Sequence, residues 1–89
     1  MDRGRVGQEP RVKVHLWGEL GFYGPGKRGR FEFPIDHEMP VSDALRLIGV
    51  PEADVAVFAL NREVVRLGDP ALTVTDGDRI DCFPPTSGG

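Results

Sequence analysis

Residues 72–89 read LTVTDGDRIDCFPPTSGG, and the fold turns on how this stretch divides. Asp76-Gly77 is a turn signal, because aspartate bonds its own backbone and glycine accepts a left-handed conformation. The flanking Asp76 and Asp78 are ordinary turn chemistry rather than an acid–base pair. RIDCF then reads as a strand, with Ile80 and Cys82 on one face and Phe83 on the other. Pro84 and Pro85 stop that strand and leave the sheet stiffly, since proline fixes φ and has no N–H. Thr86 and Ser87 are small and polar. Gly88 and Gly89 carry no side chain, so the segment fits a narrow channel at any backbone angle. The α-carboxylate of Gly89 stands unhindered at its tip.

Working back along the chain, RVKVHLWG alternates. Val12, Val14 and Leu16 point one way; Lys13, His15 and Trp17 point the other. GELGFYGPGKRGR reads as a long, mobile hairpin loop, and FEFPI as a second strand, with Pro34 marking an edge or a bulge. Val41, Ala44, Leu45 and Ile48 make one apolar helix face. Ser42 or the residues just before it can cap that helix, Pro40 suits its first turn, and Gly49 with Pro51 ends it. VAVFALN and EVVRL are strands joined by a turn at Asn61-Arg62. The order is strand, strand, helix and three further strands. One helix covers one face of a sheet, so the other face stays open. A last strand parallel to the first would complete an α+β, ubiquitin-like β-grasp: a mixed sheet of four to five strands on one main helix. The expected organisation is a disordered leader over residues 1–10, a body over 11–83 and a tail over 84–89.

The 89 residues suit a single small domain. One cysteine, Cys82, cannot form an internal disulfide, and it fits a reducing, cytoplasmic setting. It shares a strand face with Ile80, as a small core residue would. The formal charge of −3 argues against nucleic-acid binding and leaves room for a partner with a basic docking surface. No run approaches the roughly 18 apolar residues of a membrane span. MDRGRVGQEP has no apolar core and is no signal peptide.

Other motifs resolve to plain readings. Gly24, Gly26 and Gly29 spell G-x-G-x-x-G, but a strand rather than a helix follows, so no helix terminus faces a phosphate. Lys27, Arg28 and Arg30 are still able to touch a phosphate or an acidic partner. His15 and His37 lie far apart, and Asp36, His37 and Glu38 are sequence neighbours that rarely converge on one metal, so no metal site is expected. Trp17 and Phe83 fall opposite the core residues of their strands. Large aromatics on an open sheet face suit either docking or packing beneath the glycine-rich loop.

The L-x-D-G-D-x-I pattern, the short strand and the F-P-P-x-x-G-G ending resemble the MoaD/ThiS family of ubiquitin-like sulfur carriers, and most closely the MoaD type, the small subunit of molybdopterin synthase. VAVFALNREVV and VKVHLWGEL resemble further family stretches. The resemblance implies a carrier, not an enzyme. An adenylating, ubiquitin-activating-type enzyme would use ATP and magnesium to activate Gly89, and a sulfurtransferase would supply sulfur to give a thiocarboxylate. That sulfur would pass to molybdopterin or tungstopterin synthesis on a large-subunit-type partner. The carrier itself would bind no cofactor and would be a monomer when free. Gly88 and Gly89 match the family's terminal pair, and Pro84, Pro85, Thr86 and Ser87 its spacer. Trp17, Val64 and Phe83 match its apolar partner contacts. The short link from Gly49 to Val55 is instead ThiS-like, which keeps a thiamin-thiazole carrier in view. A ubiquitin-like protein modifier and a non-catalytic β-grasp interaction module are further alternatives.

Overall fold

The computed structural model describes residues 10–85. Residues 1–9 of the leader expected over 1–10, and Thr86, Ser87, Gly88 and Gly89 of the expected tail, lie outside the described residues.

Strand β1 (Arg11–Leu16) pairs antiparallel with β2 (Arg30–Pro34), with Val12 opposite Phe33 and Val14 opposite Phe31. The carbonyl of Pro10 accepts from the Ile35 amide at 2.9 Å, so pairing begins one residue before the expected body. β2 is an edge strand, which is where Pro34 can omit a ladder donor. The β1–β2 connection is packed rather than loose. It contains two 3₁₀ segments, Gly18–Tyr23 and Pro25–Lys27, and buries Leu20 in the core. Short 3₁₀ turns leave little periodic signature, so the glycines alone dominated the sequence pattern.

Helix α1 (Val41–Ile48) buries Val41, Ala44 and Leu45, with Ile48 half-buried beside them. Its start corrects the expected cap. Pro40 holds the cap position, no side chain caps the turn, and Ser42 lies inside the helix. The Val41 amide instead donates to the Leu72 carbonyl at 3.0 Å, so a distant segment satisfies one of the free first-turn donors. Gly49 ends the helix at φ +102°, a left-handed angle that suits glycine. Just before α1, a ladder of two residues per strand joins β3 (Met39–Pro40) to β6 (Thr73–Val74). Two residues are too few for a strand period to register in sequence.

β4 (Val57–Leu60) and β5 (Glu63–Val65) form a hairpin whose turn residues Asn61 and Arg62 lie at φ +52° and +69°. β7 (Arg79–Phe83) runs parallel to β1 and antiparallel to β4. The sheet order is β2-β1-β7-β4-β5, the mixed five-stranded sheet on one helix expected of a β-grasp. The core lies between α1 and the face carrying Val12, Val14, Leu16, Phe58, Ile80 and Cys82. Among the described residues no α-helix covers the opposite face, and the ends of β1 and β7 bring Pro84 to its margin.

Candidate functional site

Strand registers place the open-face residues in rows. In one row Arg30, His15, Asp81, Ala59 and Val64 cross the sheet from β2 to β5. Directly opposed residues share a face, so the expected contact Val64 lies on the face that also carries Phe83. The next row has Phe83 opposite Val57, with Trp17 just past the end of β1.

Trp17 does not pack beneath the glycine-rich loop. Its ring stacks on His15 at 3.9 Å between centroids and on Phe83 at 5.2 Å. It stays 39% exposed, while Val57 and Val64 are 42% and 70% exposed. These residues form an apolar strip across the open face. Trp17, Val64 and Phe83 therefore share one surface, with Trp17 and Phe83 in contact and Val64 further along at β5. Val57 is a member that the sequence reading missed. Its phase with Phe58 was the available signal, since Phe58 is buried and Val57 must point the other way.

Pro84 and Pro85 leave the sheet directly from Phe83. Gly18, at φ +56°, lies against Pro84, and a β-carbon there would meet Pro84 Cγ at 3.1 Å. The Trp17 amide donates to the Cys82 carbonyl at 2.9 Å, which ties the end of β1 to the root of the tail. Gly88 and Gly89, with Thr86 and Ser87, lie outside the described residues.

Beneath the aromatics sits Asp81, 5% exposed on an otherwise open face. Its Oδ1 accepts from Trp17 Nε1 at 3.0 Å, and Arg79 grips both oxygens at 2.9 and 3.1 Å. Burial works against the Asp81 charge. The hydrogen bonds from Arg79 and Trp17, with the Arg79 charge, outweigh it and hold the carboxyl below its ordinary range. His15 Nδ1 lies 3.6 Å from Asp81 Oδ1, buried and without a hydrogen bond. Burial and the Arg30 and Arg79 charges push His15 below its ordinary value against the pull of Asp81. Sequence reasoning missed Asp81. A charged residue alternating with Ile80 and Cys82 reads as solvated until the aromatics beside it are known to cover it.

The ThiS family model matches residues 25–89. The chain belongs to the ThiS family. ThiS-family proteins are ubiquitin-like sulfur carriers rather than enzymes, and they work with activating enzymes and sulfurtransferases. No curated protein matches the chain. The solution structure of the Haloferax volcanii HVO 2177 protein is similar in fold, with a TM-score of 0.65 at 19% identity, over 90% of this chain and 87% of that one.

The other motifs have local structural roles. Asp76 Oδ1 accepts from the Arg11 amide, and Asp78 carboxylate oxygens accept from the Thr75 amide and Asn61 Nδ2, so both serve the turn. Cys82 is fully buried, and burial pushes its thiol up to about 12. Gly24, Gly26 and Gly29 lead into β2, not into a helix. Glu38 accepts from Thr73 Oγ1, and His37 is exposed. Among the described residues no three His, Cys, Asp or Glu side chains cluster as a metal site. None of their helices is long and apolar enough to cross a membrane.

Proposed function

We propose that this sulfur carrier acts through the Gly89 carboxylate and donates sulfur in the synthesis of a molybdopterin- or tungstopterin-type cofactor. The observation that carries the reading is the junction at Phe83. A docking strip of Trp17, Phe83, Val57 and Val64 ends where Pro84 and Pro85 begin, and the F-P-P-x-x-G-G segment continues from it. A partner seated on the strip is placed to receive the tail. Two consecutive prolines restrict the directions in which it leaves.

The chemistry starts from a carboxylate, which is a poor electrophile. Attack by a Gly89 oxygen on the α-phosphorus of ATP, held with magnesium by the activating partner, releases pyrophosphate and forms an acyl-adenylate. A persulfide sulfur of a sulfurtransferase then attacks the acyl carbon and expels AMP. Cleavage of the resulting acyl disulfide by a second thiol forms a disulfide on the donor and leaves the Gly89 thiocarboxylate. The carrier contributes docking and reach, and glycine at both terminal positions keeps the acyl carbon open to attack. The compartment in which this runs is the cytoplasm, consistent with a reduced single cysteine.

The short segment between Gly49 and β4, which holds only the 3₁₀ turn Glu52–Asp54, favours a thiazole carrier as the second reading. Intact-mass measurement of the protein from its native host tests the activation chemistry. Exchange of one oxygen for sulfur at Gly89 is the expected result, and an unmodified terminus in every growth condition refutes it. Deleting the gene separates the pathways: loss of pterin-dependent enzyme activity supports the first reading, and a thiamin requirement supports the second.

A further inference from the structure

The open face has a second half. Beside the aromatic strip, across His15, lies a hollow of about 520 Å³. Its cations are Lys13 and Arg79 from neighbouring strands, Arg30 from the edge strand, and Arg62 from the β4–β5 turn. Glu32 at its rim is engaged by Arg11 at 3.0 Å. The buried Asp81 is engaged by Arg79. Among the described residues, Lys13, Arg30 and Arg62 have no carboxylate within ion-pair distance. A chain of net charge −3 thus gathers uncommitted cations on the face that carries the aromatic strip, with Lys13 and Arg79 at the opposite end of β7 from Phe83. This reverses, for that face, the basic docking partner that the overall charge suggested.

Arg62 carries an independent mark. It holds φ +69° at the second position of a two-residue hairpin turn, where glycine is preferred and a β-carbon is strained. Backbone strain kept at a surface position points to a use for the side chain. Here that side chain closes one wall of the hollow.

We infer that the Lys13–Arg30–Arg62 hollow receives carboxylate side chains of the protein partner that docks on Trp17 and Phe83. This rests on the carrier reading and adds to it the chemistry of the partner's surface: an acidic patch adjoining an apolar recess. A protein surface fits better than a small anion for two reasons. The cations come from separate strands and a turn, spread across an open hollow. The hollow also runs into the aromatic strip through the His15–Trp17 stack, so one rigid surface can span both. Arginine forks suit paired carboxylates, and the mixed field fixes the partner's orientation and so the direction of the tail.

The test uses the full-length carrier and the activating enzyme of the same host. Binding is measured by calorimetry at low and high salt, for wild type, for the combined K13E/R30E/R62E variant, and for R62G. The combined variant should bind about tenfold or more weakly at low salt and show a flatter salt dependence. R62G should melt at a higher temperature, because the strained turn is relieved, yet bind more weakly. That opposition cannot come from misfolding. Unchanged affinity in the combined variant, with wild type binding and being adenylated normally, overturns the inference alone. Wild type that neither binds nor is adenylated overturns the carrier reading and this inference with it. Inorganic phosphate is the third arm: saturable shifts of the Lys13 and Arg30 amide resonances at submillimolar phosphate would assign the hollow to a small anion and overturn the protein partner.

Discussion

Trp17 Nε1 donates to Asp81 Oδ1 at 3.0 Å, so the largest aromatic of the open face is held by a carboxylate that is itself buried. Asp81→Ala removes the acceptor for Trp17 and the partner of Arg79. It should cost about 2–3 kcal/mol, because the indole N–H loses its bond in a half-buried place while Arg79 can turn to water. Asp81→Asn keeps an acceptor and should cost about half as much. Trp17 is the only tryptophan, so its fluorescence reports directly. A red shift is expected for Asp81→Ala and little shift for Asp81→Asn, with urea unfolding giving the stabilities. Equal shifts in both would show that charge, not the hydrogen bond, orients the ring.

Val64 is 70% exposed and Phe58 is 2% exposed, although they belong to paired strands. Val64→Asp should therefore change stability by no more than about 0.5 kcal/mol. Phe58→Ala should cost about 3–5 kcal/mol through lost burial and a cavity. If the apolar strip docks the activating enzyme, Val64→Asp lowers the yield of Gly89 adenylate while thermal melting stays put. Normal adenylation in that variant would remove Val64 from the docking surface.

What the sequence made legible follows from the physics each element depends on. β1 and β7 announce themselves by residue type: the apolar, buried Val12, Val14, Leu16 and Ile80, Cys82 alternate with the polar Lys13, His15 and Asp81. α1 shows the same through its 3.6-residue period, and Gly49 marks its end. Those signals are local, and so were enough to place Trp17 and Phe83 on the open face. Features made by distant segments were not legible. The first amide of α1 is satisfied by Leu72, the β3–β6 ladder joins residues far apart in sequence, and Asp81 takes its indole hydrogen bond from Trp17, 64 positions away. The cationic hollow was hidden for the same reason: Lys13, Arg30 and Arg62 are scattered in sequence and meet only through strand register.

Two glycines of the β1–β2 connection should respond differently to alanine. Gly26 sits at φ +64° with open space where a β-carbon would stand. Gly26→Ala should cost only the left-handed backbone strain, about 1–2 kcal/mol. Gly24 has an ordinary φ, but its β-carbon would collide with the Arg28 carbonyl oxygen and press on the Phe31 ring. Gly24→Ala must move backbone and should cost more, with loss of amide-exchange protection around Leu20. A Gly24→Ala protein as stable as Gly26→Ala would mean that the Arg28 peptide rotates freely.

His15 makes the fold's stability depend on mildly acid pH. Its ordinary value is 6.5, and in the folded chain burial and the Arg30 and Arg79 charges lower it despite Asp81. The unfolded chain thus binds this proton more readily. Stability contributed by neutral His15 is complete above 6.5 and declines as pH falls from 6.5 towards the folded value, below which it levels off. Asp81 acts lower on the scale: its folded value lies below the ordinary 3.8, so its contribution is intact above 3.8 and is lost as pH falls through the folded value. Urea midpoints should therefore show a first decline just below 6.5 and a second below 3.8. His15→Gln should remove the first and leave the second. Arg30→Gln should raise the His15 value, seen in the imidazole Cε1 proton resonance, and shrink the first decline. A first decline that persists undiminished in His15→Gln would belong to another group and would contradict the arrangement of Arg30, His15 and Asp81 across the open face.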